Sequence, residues 1–222
     1  MTAPRLSILI PTLRARRESF KKLHEALETQ RRKLPDDAVE FLIEEDEGQA
    51  RIGAKRNRLL DRARGQFVVF VDDDDMVADD YLSRIVNAID ANPETDCIAI
   101  QGEIRFRGRH PRRMVHTIAY QDWEQSQGRY VRPPCHITPI RRSVATRFRF
   151  LEIDYSEDIE WTLRMAREGA LKHEVAIEQP LYFYASRRAY IWQWLLDRTQ
   201  PIRHALGLRM TSRLRRAERA AS

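Results

Sequence analysis

Cysteine is nearly absent from this chain of 222 residues. Cys97 and Cys135 are too few for a disulfide framework and lack metal-ligand spacing, so the chain suits a reducing compartment. Long apolar runs are missing as well. None approaches the roughly 18 residues of a membrane span, and the N-terminal stretch MTAPRLSILIPTL has no long apolar leader region. The expectation is a cytoplasmic protein. Internal repeats and low-complexity linkers are also missing. At this length one domain is the default, and it can bury a core without staples.

What is present is charge, unevenly spread. The net charge is +6, and residues 186–222 carry nine arginines and two acids, so the rest of the chain sums to −1. Such asymmetry points to a polyanion, either an anionic membrane surface or nucleic acid. A solvated helix face explains the charge alone equally well. Ile202, Leu206, Met210 and Leu214, spaced by four, predict a basic amphipathic helix, which Gly207 weakens.

The first half alternates strand-like and helix-like segments. Short apolar runs predict strands at 6–11, 39–43, 66–71 and 96–102. Helical stripes cover 18–34, 52–64 (stopped by Gly65) and 79–91, with Asp79 and Asp80 serving the N-terminus of the last. This order predicts an α/β fold with right-handed crossovers and a mostly parallel central sheet. Ligands then bind beyond the carboxyl ends of the strands, where Pro11, Thr12, Asp46 and Asp72 to Asp75 fall. The second half is less regular. One or two strands are expected in 104–120 around a basic turn, a Pro-rich loop in 130–138, a helix over 156–167 and a short strand at 181–185.

The stretch FVVFVDDDD carries the strongest chemical signal. Four adjacent carboxylates repel one another, and burying any of them is costly without a partner. In an extended segment Asp72 and Asp74 share one face, Asp73 and Asp75 the other. Two carboxylates so spaced can chelate one hard divalent cation, Mg²⁺ or Mn²⁺. An acidic helix cap is the alternative, but Asp79 and Asp80 already fill that role. Upstream, IGAKRN opens a helix with Lys55 and Arg56, and Gly53 permits close backbone approach. This is either a phosphate grip or a solvated face. Downstream, DYSEDIEW places Ser156 as an N-cap with acids in the first turn, or else Asp158 as a general base. Trp161 fits a core position within that helix. Trp192 and Trp194 fit core packing better than sugar stacking.

Taken together, LSILIPTL, Asp46 in FLIEEDEG, IGAKRNRLLDRARGQFVVFVDDDD, SEDIEWTLRMA and PLYFYASR resemble family 2 glycosyltransferases of the GT-A fold, over roughly the first 185 residues. The resemblance implies a GT-A catalytic domain at 1–185, with a nucleotide-binding half (1–102) and an acceptor-side half (103–185), and a basic helical tail at 186–222. It implies inverting, metal-dependent transfer from a nucleotide-diphospho-sugar, UDP-linked, to an acceptor hydroxyl. Pro11, Thr12 and Asp46 would hold the base, and Arg56 and Asp72 the ribose and diphosphate side. Asp74 would hold Mn²⁺ or Mg²⁺, with Asp72, Asp73 or Asp75 as substitutes, and Asp158 would act as base. Asp46 is preferred over Glu44 and Glu45 by its step to Gly53. His136, Glu157 and Arg187 fall on the acceptor or phosphate side.

The implied acceptor is a glycan or lipid-linked glycan, the tail resting on the inner membrane face. A hydroxylated base in nucleic acid is the alternative acceptor, with the tail and the Arg105 to Arg113 loop gripping phosphates. Outside this class stand a metal-dependent nucleotidyltransferase, which would not need EDIEW, and a non-enzymatic nucleic-acid-binding module.

Overall fold

The computed structural model describes residues 3–106, 109–126 and 129–186. Strand β1 (Leu6–Leu13) leads through a 3-10 turn at Arg14–Arg16 into α1 (Arg17–Arg31). Next come β2 (Val39–Asp46), α2 (Ile52–Arg62), β3 (Phe67–Phe70), the two-residue β4 (Met76–Val77) and α3 (Tyr81–Ala91). The second half comprises β5 (Cys97–Phe106), β6 (Arg109–His116), β7 (Glu124–Ser126), β8 (Arg129–Arg132) and β9 (Ile140–Arg141). It continues with the short α4 (Arg142–Ala145), α5 (Glu157–Arg167) and β10 (Glu174–Ser186).

The strands form one sheet of order β2-β1-β3-β9-β5-β6-β8-β7, with β10 beside β5 and β4. β1 is buried on both faces because its side chains alternate between two cores. Leu6, Ile8 and Ile10 pack with Leu23 and Leu27 of α1 and with Leu82 and Ile85 of α3. Leu9 packs on the other side with Leu59 and Leu60 of α2 and Trp161 of α5. Two helical layers therefore cover the sheet, and the carboxyl ends of β1 and β3 stay open for a site.

The expectation of a mostly parallel sheet needs correction. β1 runs parallel to β2 and β3, as helical crossovers require, and β5 is parallel to β10. But β5–β6, β7–β8, β3–β9, β5–β9 and β4–β10 are antiparallel. Past β5 the chain returns by hairpins and short strands instead of helices, and a tight return reverses direction. The sheet is mixed.

Three local expectations are also corrected. Gly65 was expected as a helix stop, but α2 ends at Arg62, and a Cβ on Gly65 would lie 2.6 Å from the Ser7 amide nitrogen, so this glycine lets the chain press against β1. Asp79 and Asp80 were expected to serve the N-terminus of α3, yet Asp80 makes no side-chain cap bond. That end is held from α1 instead, where the side-chain Oε1 of Gln30 accepts Leu82 N–H at 3.0 Å. Ser156 occupies the N-cap position of α5 but makes no side-chain cap bond, and its φ of 67° is left-handed. The basic tail, Arg187, Trp192 and Trp194 lie outside the described residues. Among the described residues no helix is long and apolar enough to cross a membrane.

Candidate active site

A cleft of about 560 Å³ opens at the carboxyl ends of β1 and β3, and residues from Pro11 to Tyr184 line it. Val71 ends the buried apolar run, and Asp72 to Asp75 follow it. The alternation expected of an extended segment is not what is found: β3 ends at Phe70, and Asp75 N–H bonds to the Asp72 carbonyl at 3.2 Å, so the four carboxylates sit in a turn that gives each different work. Asp73 is buried and turned onto β1. It accepts the Thr12 hydroxyl at 2.8 Å, Leu13 N–H at 3.4 Å and Arg16 Nη1 at 2.9 Å. Asp75 is also buried and accepts the Tyr182 hydroxyl at 2.9 Å, while that same hydroxyl oxygen accepts Asp72 N–H at 3.1 Å. Tyr182 thus ties both ends of the acidic run to β10.

Asp72, Asp73 and Asp74 all line the cleft, and Asp72 and Asp74 are the two of them that are not fully buried. Asp72 meets Arg56 Nη2 at 3.0 Å and His136 Nε2 at 3.3 Å. Burial pushes its carboxyl up, but Arg56 and His136 outweigh that and hold it well below the usual range. Asp74 is 52% exposed and lies 3.4 Å from Arg16 Nη1. Burial and the charges of Asp72 and Asp73 push its carboxyl up despite Arg16. The repulsion inferred from sequence is therefore concentrated on this one group.

The α2 motif is buried rather than solvated. Lys55 donates to Asp46 Oδ1 at 2.6 Å and to the Thr12 carbonyl, joining β2 to β1. Asp46 also accepts Gly48 N–H at 3.2 Å and Ala50 N–H at 2.9 Å, so it shapes the turn into α2. Glu44 pairs instead with Arg58 and Arg62 at 2.8 Å each, and Glu45 lies 3.8 Å from Arg14. Arg56 bridges Asp72 and Glu157, with Nε 3.1 Å from Glu157 Oε1, and its Nη1 has no hydrogen-bond partner among the described residues. Gly53 does permit a close approach, but to protein: a Cβ there would stand 1.8 Å from the Leu151 carbonyl oxygen. Asn57 clamps the same segment, donating to Phe150 O at 2.9 Å and accepting Phe150 N–H at 2.8 Å.

These contacts bring in the second half of the chain. Asp158, at the start of α5, has Oδ2 at 3.1 Å from His136 Nδ1 and 3.7 Å from Arg132 Nη2. Burial raises its carboxyl, but His136, Arg132 and Arg56 together hold it well below the ordinary range. His136 is pushed down by burial and by Arg56, yet Asp72 and Asp158 raise it well above its usual value, which favours its protonated form. Burial and the Asp158 charge push Glu157 up to about 7, against the pull of Arg56. A polar chain thus runs Arg56, Asp72, His136, Asp158, Arg132 across the cleft floor.

The comparisons with known proteins agree with this architecture. Residues 36–148, just over half the chain, match the family model described as Glycosyl transferase family 2. The chain belongs to glycosyltransferase family 2. The putative glycosyltransferase EpsH of Bacillus subtilis (strain 168) is 28% identical over 97 residues, which are 44% of this chain and 26% of EpsH. Residues 1–349 of TarS from S. aureus superpose with a TM-score of 0.62 at 18% identity, covering 81% of this chain and 60% of theirs. The mannosyltransferase PcManGT from Pyrobaculum calidifontis, solved with GDP-Man and Mn²⁺, gives 0.53 at 17% identity over 90% and 62%. The chain therefore spans about a quarter of EpsH and about three fifths of these solved structures.

In this family 2 domain, Pro11, Thr12, Arg56, Asp72, Asp74, His136, Glu157 and Asp158 line one cleft. Asp46 stands behind its wall, joined to it through Lys55. Arg187 lies outside the described residues. Trp161 is core: it stacks on Phe150 at 4.6 Å and donates to Phe148 O at 2.8 Å. From sequence Trp123 is a candidate for stacking on a sugar face, but it packs under Arg132 instead. Sequence reasoning gave no role to Arg16, Asn57, Arg132 or Tyr182, although Asn57 and Tyr182 lie within IGAKRN and PLYFYASR, because their partners lie far away in the chain.

Proposed function

We propose that this chain is an inverting glycosyltransferase that moves one sugar from a nucleoside-diphosphate sugar, uridine-linked, to a hydroxyl of a glycan or lipid-linked glycan. The observation that carries this reading is the pairing of two carboxylates through one histidine. Asp72, on the nucleotide-binding half, and Asp158, on the acceptor-side half, both contact His136 on the floor of a single cleft. Pro11 and Thr12 border the base, with Asp46 and Lys55 behind them. Arg56 lines the cleft and keeps a buried N–H without a described hydrogen-bond partner, which suits a diphosphate oxygen.

The donor set fits a divalent cation. Asp74 offers a hard, half-exposed oxygen ligand whose charge is unrelieved, with Asp72 beside it. Among the described residues no cluster of three or more His, Cys, Asp or Glu could hold a metal alone. Mn²⁺ or Mg²⁺ would therefore share Asp74 with donor phosphates, and when bound it neutralises charge gathering on the departing nucleoside diphosphate. Asp158 stays ionised at neutral pH and accepts the acceptor's hydroxyl proton as that oxygen attacks the anomeric carbon. The bond from anomeric carbon to phosphate oxygen breaks on the opposite face, which inverts the centre.

The division into a catalytic unit at 1–185, halves meeting near residue 102, and a basic tail at 186–222 belongs to the same proposal. The tail's charge suits an anionic membrane face or nucleic acid, and a cytoplasmic protein peripheral to the inner membrane face follows from the first. The test is calorimetry of UDP with and without Mn²⁺, on the native chain and on Asp74→Asn. Metal-dependent binding lost in the variant supports the reading. Silence with UDP but a response to GDP or dTDP changes the nucleotide only. A product of pyrophosphate, instead of nucleoside diphosphate, overturns it in favour of nucleotidyl transfer.

A further inference from the structure

Arg132 is the member of the polar chain to which the reading above gives no role. It sits at the end of β8, is 3% exposed, and lines the cleft. Its guanidinium carbon lies 3.3 Å from the Trp123 ring centroid, so the aromatic face fixes the plane of the fork. Nε and Nη2 have no hydrogen-bond partner among the described residues, and Asp158 Oδ2 stands 3.7 Å from Nη2, beyond hydrogen-bond length. A buried guanidinium with idle donors is costly, and the cost is recovered when an anion binds. Ile104, Met114 and Tyr184 line the same cleft and limit water, which strengthens any charge pairing there.

Arg56 is engaged by Asp72 and Glu157, and Asp158 stands closer to His136, at 3.1 Å, than to Arg132, at 3.7 Å, so the Nε and Nη2 donors of Arg132 stay open to an anion. The contact order places Arg132 beyond Asp158, away from Asp72 and Asp74. A group bound there lies next to the hydroxyl that Asp158 would deprotonate.

We propose that Arg132, braced on Trp123, forms an acceptor subsite for an anionic group, a carboxylate or phosphate, carried next to the reacting hydroxyl. This deepens the reading above and rests on it for the role of Asp158. The anion preference itself is readable without any turnover.

The probes are methyl glucuronide, glucose 6-phosphate and neutral methyl glucoside, titrated calorimetrically into the full chain with and without UDP and Mn²⁺. The two anionic probes are expected to bind at least about tenfold tighter than the neutral one, as a charge-assisted pair in a water-poor site should. Preference for one anionic probe identifies carboxylate or phosphate. Arg132→Gln should abolish the difference and leave UDP affinity within about twofold, and Arg132→Lys should keep part of it. Equal binding of all three sugars to the native chain overturns the subsite without reference to any variant. So does an Arg132→Gln chain that loses UDP and keeps the anion preference, because Arg132 would then serve the donor. If UDP fails to bind at all while the anion preference stands, the nucleotide reading fails and the subsite remains.

Discussion

The imidazole of His136 links the two halves of the cleft, with Nδ1 3.1 Å from Asp158 Oδ2 and Nε2 3.3 Å from Asp72 Oδ2. One buried cation thus serves two carboxylates that would otherwise repel each other. His136 is held well above its ordinary 6.5. Its contribution to stability is complete below that value and fades as pH rises through the higher folded-state pKa. Asp72 and Asp158 are held below their ordinary 3.8. Their contribution is complete above 3.8 and fades as pH falls through the lower folded-state values. His136→Asn should therefore cost about 3–5 kcal/mol near neutrality, as for a broken buried ion pair, and distinctly less at strongly alkaline pH. Urea unfolding of both proteins across that range checks it, and a difference independent of pH would contradict the bridging role.

Neighbouring aspartates should give opposite phenotypes. Asp73 binds Thr12, Leu13 and Arg16 while buried, so Asp73→Ala should cost about 2–4 kcal/mol by stranding three donors. Asp74 is half exposed and repelled by Asp72 and Asp73, so Asp74→Asn should change stability by no more than about 0.5 kcal/mol. Metal-dependent UDP binding should be lost in Asp74→Asn. Paired denaturant curves and calorimetry separate the two. A stable Asp73→Ala protein would show that the anchoring to β1 is dispensable.

Glu157 ionises as pH rises through about 7, and it shares Arg56 with Asp72. Above that pH an extra negative charge stands near the diphosphate position. UDP binding in Mn²⁺ should match between native and Glu157→Gln chains near pH 6. It should be about three- to tenfold weaker in the native chain near pH 8.5, the size of one partly compensated charge a few ångströms away. Identical pH profiles would remove Glu157 from the donor side.

Much of this was legible in the sequence because it is local. Apolar runs located β1, β2 and β3, and the 3.6 period located α3, whose inward residues Tyr81, Leu82, Ile85, Val86 and Ile89 are all buried. The acidic run past β3 was located as well, but the period-two split within it was not found, because Asp72 to Asp75 close into a turn after β3 ends at Phe70. What was not legible depends on partners far along the chain. Arg132 reads as one more arginine in a basic sequence until β8 sets it against Trp123 and Asp158. Gly53 reads as a phosphate-loop glycine, yet the neighbour it must admit is Leu151. The sheet direction was misjudged because β5–β6 and β7–β8 form antiparallel hairpins, and β6 and β8 pair in parallel with no helix between them to signal it.

Gly53 gives the sharpest test of how the halves are held in register. Alanine is favoured over glycine in a helix by about 1 kcal/mol, so propensity alone predicts that Gly53→Ala stabilises α2. A Cβ would however stand 1.8 Å from Leu151 O and 2.8 Å from its carbon, and both are backbone atoms that no rotamer change can move. The Gly53 N–H bond to Ile153 O at 3.3 Å would be strained with them. The expected net result is a loss of about 2 kcal/mol or more, of the kind overpacking produces. The displaced 151–153 segment leads directly into Glu157 and Asp158, so their meeting with Arg56 and His136 should loosen as well. A chain that unfolds at lower urea and also binds UDP more weakly fits this account. A stabilised Gly53→Ala chain would mean that the loop yields freely, and that α2 and α5 are registered by the Asn57 clamp on Phe150 and the Arg56–Glu157 pair instead.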